Sequence, residues 1–316
     1  MPHLPLVIVN PASAGNSTRD AWPGIASDLR AHFGPFQCAF TEKPGDGRRL
    51  AAMAAQEGRR LIIACGGDGT ANEVANGILE AGGESELGLL PSGTGGDFRR
   101  TLSIPKRTAD AARALKKGRT RRMDVGRVSF INHEGENETR YFLGVASFGM
   151  SPEVIERVKE GSSNWFPTTQ AKRLSGRVSF AVATLQTTLA SPRTTVRVQL
   201  DENAERYLTV ANLCVANARY FGGGMKVAPD ALLDDGRFDI ITIGDLGALK
   251  ILANAHQLYL GTHLGMEQVH HTHAARVEAR PARENVEVAI EVDGELPGRL
   301  PATFEIIPRA LRVRTR

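Results

Sequence analysis

A glycine-rich segment around a single acid is the part of this sequence most suited to chemistry. Residues 61–65 form a short apolar run, and three glycines then lie within four positions around Asp68. This order predicts a buried strand followed by a turn whose backbone N–H groups can approach a bound anion. The apolar residues after Thr70 recur at helical spacing, so the positive end of a helix would face the same anion. The segment therefore predicts a phosphate-binding loop.

Asp68 limits what this loop can bind. A carboxylate about 4 Å from a phosphate oxygen would be repelled by roughly 4 kcal/mol at an effective dielectric constant of about 20. A bridging cation removes that repulsion, and Mg²⁺ is the usual cation for nucleotide phosphates. The alternative is a tight turn in which Asp68 only caps the helix that follows. The sequence contains no Gly-x-x-x-x-Gly-Lys-Ser/Thr, so the loop is not a standard P-loop.

The elements that must position this loop are predicted from the first part of the chain. Residues 4–9, 36–40 and 87–90 indicate further strands, and loops of small or turn-forming residues follow at 10–16 and 91–97. Repeated strand–helix steps predict a doubly wound, mostly parallel α/β sheet with helices on both faces. In such a sheet the ligand crevice lies at the carboxyl ends of the strands, which is where these loops would lie.

The pattern changes after residue 125. Strands with connections too short for repeated βαβ units are expected at 127–131, 139–148, 194–200, 207–216 and 237–243. Helices are expected at 152–159, 170–189 and 245–260. The sequence thus predicts an α/β domain over 1–125 and a mainly antiparallel β-sandwich domain over 126–304. Short strands near the C-terminus would return residues 305–316 to the first domain, and we expect the active site in the cleft between the two domains.

The distribution of charge points to an anionic partner. The chain of 316 residues has a formal net charge of +4, yet residues 99–122 hold ten Lys or Arg and one acid. Part of this run lies at the end of a predicted helix, where cations are favourable. The remainder could be attracted to an anionic membrane surface or could simply be solvated. Trp165 and Phe166, which have basic neighbours, suit either a lipid–water interface or the protein core. We expect peripheral membrane association and no nucleic-acid partner.

Several sequence features concern compartment and redox state. The longest apolar runs are too short to span a bilayer, and the N-terminus lacks a basic-then-apolar signal peptide, so we expect a cytoplasmic protein. Cys38, Cys65 and Cys214 are widely spaced beside apolar residues, which predicts buried, reduced thiols.

A group of histidines near residue 270 raises the question of a metal site. His270, His271 and His273 have no Cys or acid beside them at ligand spacing. We therefore interpret them as the polar face of a strand rather than as metal ligands.

Four groups of residues occur in a fixed order along the chain. They are Asn10-Pro11-Ala12-Ser13-Ala14-Gly15, then Gly66-Gly67-Asp68-Gly69-Thr70 with Asn72-Glu73-Val74, then Pro91-Ser92-Gly93-Thr94-Gly95-Gly96-Asp97-Phe98, and finally Asp235-Gly236 with Asp293-Gly294-Glu295. This order resembles the bacterial diacylglycerol kinase and sphingosine kinase superfamily of lipid kinases, and the likeness covers most of the chain. The resemblance implies ATP as the phosphoryl donor and Mg²⁺ as its metal.

The resemblance also implies a role for each matching residue. The nucleotide-binding residues would be Asn10, Pro11, Ala12, Ser13, Ala14, Thr41, Gly66, Gly67, Asp68, Gly69, Thr70, Asn72, Glu73, Gly93 and Thr94. Asp68, Asp97 and Asp124 would organise Mg²⁺ and its waters, although Asp97 is equally well placed to cap the short helix after it. Glu295 would be the base that accepts the proton of the lipid hydroxyl, and Asp68 is the alternative base.

The resemblance also implies a second metal site, and this sequence differs from the usual superfamily pattern in two places. A structural Mg²⁺ would be held by the carboxylate of Asp235 and the backbone carbonyls of Leu232 and Arg237. Gly96 stands where the superfamily commonly has Asn, so one side-chain contact would be missing. Met150-Ser151 lies where similar kinases often carry Phe-Asp, which bears on the lipid-binding side.

The predicted function is ATP-dependent phosphorylation of a lipid hydroxyl, with diacylglycerol converted to phosphatidic acid. Ceramide, sphingosine or another lipid alcohol is the first alternative, because the sequence carries no readable motif for the acceptor. NAD kinases share the Gly-Gly-Asp-Gly-Thr loop, but their second Gly-Ser-Thr-Ala-Tyr-like segment is absent. A non-catalytic, nucleotide-gated membrane-binding protein is the third alternative. The expected partners are a lipid substrate at the membrane surface and a second copy of the chain in a homodimer.

Overall fold

The computed structural model describes residues 3–93, 95–149, 152, 194–244 and 248–315, with the backbone alone for 248–252. Several predictions therefore lie outside the described residues: the role of Thr94, the helices at 152–159 and 170–189, the placement of Trp165 and Phe166, and the Met150-Ser151 departure. The chain divides into two compact units. Unit 1 contains Met1–Val125, Leu233–Gly236 and Ile307–Arg316, and unit 2 contains Gly126–Leu232 and Arg237–Ile306.

Unit 1 is built on a parallel sheet. Its strands are β1 (Leu6–Val9), β2 (Gln37–Phe40), β3 (Leu61–Gly66), β4 (Glu86–Pro91) and the end of β15 (Glu295–Thr315). Their order is β15–β4–β3–β1–β2, and every neighbouring pair is parallel. The three inner strands β1, β3 and β4 are buried almost throughout, as their continuous apolar runs predict for strands covered on both faces.

Five helices connect the strands of unit 1. They are α1 (Ser17–His32), α2 (Asp46–Gln56), α3 (Asp68–Glu80), α4 (Asp97–Thr101) and α5 (Thr108–Lys117). α2 packs against α3, and α1 packs against α5. The predicted doubly wound α/β domain is thus confirmed. One prediction about this unit is wrong: Cys38 is exposed, because it lies on the edge strand β2.

Unit 2 consists mainly of antiparallel strands. They are the second half of β5 (Arg119–Asn132), then β6 (Asn137–Phe142), β7 (Val145–Gly149), β8 (Thr194–Leu200), β9 (Arg206–Val210), β10 (Asn212–Ala216), β11 (Phe238–Ile243), β12 (Val269–Ala274), β13 (Arg276–Pro281), β14 (Ala289–Val292) and the first half of β15. One run of neighbours is β12–β11–β10–β7–β14–β15, and a second is β9–β8–β13–β15. Helix α6 (Ala248–Leu260) and a short 3₁₀ helix (His263–Gly265) precede β12.

The core of unit 2 is rich in phenylalanine. Phe130, Phe142, Phe148, Phe238 and Phe304 are at most 2% exposed. Phe142 stacks on Phe238 with ring centroids 5.6 Å apart, and Phe148 stacks on Phe304 at 6.2 Å. The inward-facing residues of both strand runs meet in this cluster, which confirms the predicted β-sandwich.

Several predicted strand limits are wrong. The segment 139–148 is two strands, because the Asp293 carboxylate accepts the N–H groups of Leu143, Gly144 and Val145 and so interrupts the ladder. The segment 207–216 is likewise divided into β9 and β10. β5 starts at Arg119 rather than at 127, and the two short C-terminal strands are parts of the continuous β15. Among the described residues, no helix is long and apolar enough to cross a membrane.

Candidate functional site

The loops after β3 and β4 are in backbone contact. The Ser92 N–H donates to the Gly66 carbonyl at 3.0 Å. A Cβ atom placed on Gly93 would lie 2.5 Å from the Cα atom of Gly67, so only glycine fits at position 93 without a shift of the backbone. The parallel register of β3 and β4 brings these two glycine-rich loops to the same sheet edge, as the sequence predicted.

The loop after β1 is joined to the same edge through Asn10. The Asn10 side-chain Nδ2 donates to Thr70 Oγ1 at 3.1 Å, and the Asn10 Oδ1 accepts the Ala12 N–H at 3.0 Å. A Cβ atom on Gly66 would collide with Thr70 and lie 3.0 Å from Ser13 Oγ. Three of the predicted nucleotide-binding segments are therefore assembled in one place within unit 1.

Asp68 occupies the centre of this arrangement and caps a helix. Its Oδ2 accepts the Asp97 N–H at 2.9 Å, and its Oδ1 accepts the Phe98 N–H at 3.1 Å. The capped helix is α4, which begins after Gly96, and not α3, which Asp68 itself begins. The expectation that Asp97 caps α4 is therefore wrong: Asp97 is the first residue of α4, and Asp68 supplies the cap. Each Asp68 oxygen retains a lone pair for a further ligand.

Three cations line a cavity beside Asp68. This cavity of about 180 Å³ is bordered by the two glycine-rich loops and by Arg99, Arg100 and Lys106. Arg100 donates to Asp97 Oδ1 at 2.7 Å and to the Gly95 carbonyl at 2.6 Å. Burial and the neighbouring Arg100 charge lower the pKa of Arg99, whereas Asp68 and Asp97 oppose that shift. The cavity therefore combines two glycine-rich loops with positive charge, which suits a phosphate group.

These three cations were not among the predicted site residues. The basic run from residue 99 onward was expected to serve a helix end or to face a membrane or solvent. A signal was available, because Arg99 and Arg100 directly follow the second glycine-rich loop in the sequence. Their role needed the short helix α4, which turns both side chains back toward that loop.

Glu73 and Asn72 are engaged in helix contacts. The two carboxylate oxygens of Glu73 accept the N–H groups of Gly45 and Gly47, each at 2.9 Å. Glu73 on α3 therefore supplies the N-terminal cap of α2. The carbonyl and Oδ1 of Asn72 both accept from Asn76 Nδ2. A direct contact of either residue with nucleotide stays a prediction.

The loop after β2 is also fixed by a carboxylate. The Thr41 N–H donates to the Val9 carbonyl at 2.9 Å, and the Thr41 side chain is buried. The Asp46 Oδ2 accepts the N–H groups of Glu42 and Lys43. These two donors hold the pKa of Asp46 below its ordinary value. Thr41 thus lies in an ordered turn, and its contact with nucleotide stays a prediction.

Asp124 is fully buried and connects distant parts of unit 1. Its Oδ2 accepts the Gly236 N–H and its Oδ1 accepts the Arg309 N–H, both at 2.7 Å. Its own N–H donates to the Leu233 carbonyl at 2.6 Å. The Asp-Gly loop that was predicted to hold a structural Mg²⁺ is therefore held by Asp124. In that loop the side chains of Leu232, Asp235 and Arg237 are exposed.

The predicted base Glu295 is the first residue of β15 in unit 2 and directly follows the turn formed by Asp293 and Gly294. Its side chain is 58% exposed, and its Oε2 lies 3.3 Å from Arg140 Nη1. The nearby acid Asp293 has φ of 48° and accepts the N–H groups of the three residues that follow β6. The buried Glu291, which the sequence analysis did not single out, accepts from Ser147 Oγ and from the Gly294 N–H, each at 2.6 Å. These bonds fix the turn from which Glu295 reaches solvent.

Two family models match the chain. Residues 5–128 match the model described as the diacylglycerol kinase catalytic domain. Residues 164–315 match the model described as the YegS C-terminal NAD kinase beta sandwich-like domain.

Curated relatives resemble nearly the whole chain. A diacylglycerol kinase of Staphylococcus saprophyticus is 27% identical over 98% of this chain and 94% of the relative. A diacylglycerol kinase of Staphylococcus aureus is 28% identical over 97% of this chain and 90% of the relative.

Solved structures show the same fold. The crystal structure of a diacylglycerol kinase from Bacillus anthracis superimposes with a TM-score of 0.75 at 22% identity, covering 99% of this chain and 97% of that one. Another solved chain from the same organism reaches a TM-score of 0.77 at 25% identity, covering 99% of this chain and 95% of that one.

Proposed function

We propose that this chain is a lipid kinase of the diacylglycerol kinase family, which transfers the γ-phosphate of ATP to the hydroxyl of diacylglycerol and so forms phosphatidic acid. The observation that supports this most directly is the cavity beside Asp68. Three cations and two glycine-rich loops border it, and this is the chemistry that a nucleotide phosphate requires.

The residues of the cavity suit a reaction that depends on positioning and charge neutralisation. Phosphoryl transfer passes through a loose transition state with charge on the equatorial oxygens. Arg99, Arg100 and Lys106 would attract the phosphates, and the backbone N–H groups of the two loops would orient them. The close approach of the Gly67 and Gly93 backbones leaves no room for a side chain on Gly93.

The carboxylates of unit 1 fit Mg²⁺ in their chemistry. Asp68 and Asp97 are neighbours, and each Asp68 oxygen keeps a lone pair after capping α4. Hard oxygen donors of this kind are the ligands that Mg²⁺ prefers, and the ion would offset the repulsion between carboxylate and phosphate. We assign Asp68 and Asp97 to this ion, with Asp124 as the more distant member proposed from the resemblance.

Glu295 is our proposed base for the lipid hydroxyl. Its carboxylate is 58% exposed and so is available to a substrate. Both oxygens of Asp68, the alternative base, already accept backbone N–H groups, which favours Glu295.

Further proposals concern the membrane and the second metal. Exposed cations support peripheral association with an anionic membrane; they are Lys116, Lys117, Arg119, Arg121 and Arg122. The Asp-Gly loop, which Asp124 holds through the Gly236 N–H, supports a structural Mg²⁺ at Leu232, Asp235 and Arg237. A homodimer and a cytoplasmic location are retained as proposals from the sequence.

Transfer of labelled γ-phosphate tests the proposed function. Vesicles containing diacylglycerol, ceramide or sphingosine are offered as acceptors beside NAD, which is included because the C-terminal match is described as NAD kinase-like. We expect label in phosphatidic acid. Label in NAD alone would contradict the lipid kinase proposal. Label in ceramide or sphingosine alone would identify that lipid as the acceptor in place of diacylglycerol.

Two variants test the assigned roles in the same assay. Asp68→Asn is expected to lower kcat about 100-fold or more, and Glu295→Gln by roughly 100- to 10,000-fold, as for loss of an electrostatic group and of a general base. Glu287→Gln is the matched control, because Glu287 is also an exposed glutamate of unit 2 that pairs with an arginine, Arg299. Full activity in Glu295→Gln would remove Glu295 as the base.

A further inference from the structure

Two histidines and an aspartate of unit 2 share one face of neighbouring strands. β11 and β12 are antiparallel, with Asp239 directly opposite His273 and Ile241 opposite His271. Because residues two apart on a strand point to the same side, Asp239, His271 and His273 lie on one face. His270 points to the opposite face of β12.

The three side chains converge closely. The His271 Nε2 lies 2.7 Å from Asp239 Oδ1, and the His273 Nε2 lies 3.5 Å from the same oxygen. The two imidazole centroids are 4.7 Å apart, with the rings inclined at 63°. One ligand atom from each of the three residues can be chosen so that all lie within 4.8 Å of one another.

We propose that Asp239, His271 and His273 bind a divalent transition-metal ion, with Zn²⁺ as the representative of that class. Two imidazole nitrogens and a carboxylate oxygen are a ligand set of zinc and its neighbours and not of Mg²⁺, which prefers oxygen alone. The site is separate from the cavity beside Asp68, and the inference does not rest on the proposed kinase function.

The separations of the two histidine nitrogens from Asp239 can be compared with those in a tetrahedral zinc site. Ligand atoms of a tetrahedral zinc site at about 2.05 Å from the metal lie about 3.3 Å from one another. The separation of His273 from Asp239 already has this size, whereas His271 must withdraw by about 0.6 Å to admit the ion. Its ring proton then resides on Nδ1, so that Nε2 offers its lone pair.

The exposed fractions of the three side chains indicate a site that is open to solvent on one side. The Asp239 side chain is 4% exposed, His271 is 22% exposed and His273 is 44% exposed. A metal held by these three ligands would keep a coordination position toward solvent on the His273 side, as three-ligand zinc sites do. It would also connect β12, which ends the run of strands, to β11. An ion that binds the folded state alone raises its stability.

Metal binding to the full-length, tag-free protein tests this inference after treatment with EDTA. Zn²⁺ is titrated by calorimetry, and Co²⁺ is followed by its visible d–d absorption, which reports nitrogen and oxygen coordination. We expect one Zn²⁺ per chain, binding at least tenfold weaker in His271→Gln and in His273→Gln, and a Zn²⁺-dependent rise in Tm that the double variant lacks. His270→Gln is the matched control, because His270 lies on the same strand but faces the other side.

The outcomes decide the inference in either direction. Wild type that takes up neither Zn²⁺ nor Co²⁺, or a double variant that binds them as wild type does, would overturn it. Equal Tm values of the metal-free proteins show that each variant is folded, and the glutamines replace partly exposed side chains, so folding is expected to be preserved.

Discussion

Asp68 illustrates how far the role of a single residue depends on its partners. The acid in the glycine-rich loop was expected to face a phosphate through a cation or to cap the helix that it begins. The helix that it caps is α4 and not α3, and in capping α4 it brings Arg99 and Arg100 to the same cavity. One carboxylate therefore positions the cations that would bind the phosphates.

The close contact of two glycines leads to a prediction at the same scale. Gly93→Ala would place a Cβ atom 2.5 Å from Gly67 Cα, so we expect a loss of about 1–3 kcal/mol in the free energy of unfolding, as for overpacking. Urea denaturation measures this change. Gly69→Ala is the control, because a Cβ atom there has no neighbour within 4 Å among the described residues. Equal stability of the two variants would mean that the loops do not pack as closely as described.

At the scale of elements, one side chain joins α2 to α3. It belongs to Glu73, which was predicted to lie in the nucleotide site. Glu73 on α3 accepts two N–H groups at the start of α2. The backbones of the two helices also approach closely, since a Cβ atom on Gly77 would collide with the Arg48 carbonyl. Glu73, which follows the glycine-rich loop in the sequence, thus positions α2 against α3.

Removal of this cap should destabilise unit 1. Glu73→Ala leaves the N–H groups of Gly45 and Gly47 without their acceptor, and we expect a loss of about 1–3 kcal/mol in the free energy of unfolding. Glu80→Ala on the same helix removes a surface ion pair with Arg48 and should cost about 1 kcal/mol or less. Chemical denaturation of both variants checks the difference. A cost for Glu73→Ala no larger than that for Glu80→Ala would contradict the capping role.

At the scale of the whole molecule, the chain passes repeatedly between its two units. Residues 233–236 and 307–316 belong to unit 1, although the chain forms parts of unit 2 before each of these segments. Asp124 holds both returning segments, through Gly236 and Arg309. This fully buried carboxylate therefore joins both returning segments to the rest of unit 1.

Asp124→Asn tests that role. The asparagine side chain has one acceptor oxygen, so it can accept only one of the two N–H groups, and its own NH₂ group faces the other. We therefore expect a loss of about 2–3 kcal/mol in the free energy of unfolding and faster proteolysis near residues 233–236. Limited proteolysis with mass spectrometry, beside urea denaturation, measures both effects. Asp110→Asn, on the exposed face of α5, should behave as wild type. Unchanged proteolysis in Asp124→Asn would show that the segment is held by other contacts.

Much of the architecture was readable from the order of residues alone. Continuous apolar runs predict the buried parallel strands β1, β3 and β4, because a strand covered on both faces needs no polar alternation. The motifs in their order resemble those of the diacylglycerol kinase family, whose catalytic-domain model matches residues 5–128. The interruption between β6 and β7 was not readable, because the acid that causes it, Asp293, is about 150 residues away in the sequence.

The sequence by itself determined the two kinds of domain, the glycine-rich loops and the class of chemistry, since these depend on local spacing and on residue type. Only the tertiary structure decided which partner each acid takes. Asp68 caps α4, Glu73 caps α2, and Asp239 meets two histidines that have no acid near them in the sequence. The physical reason is that hydrogen bonds and metal ligands act over a few ångströms, and strand register brings together residues that the chain order keeps apart.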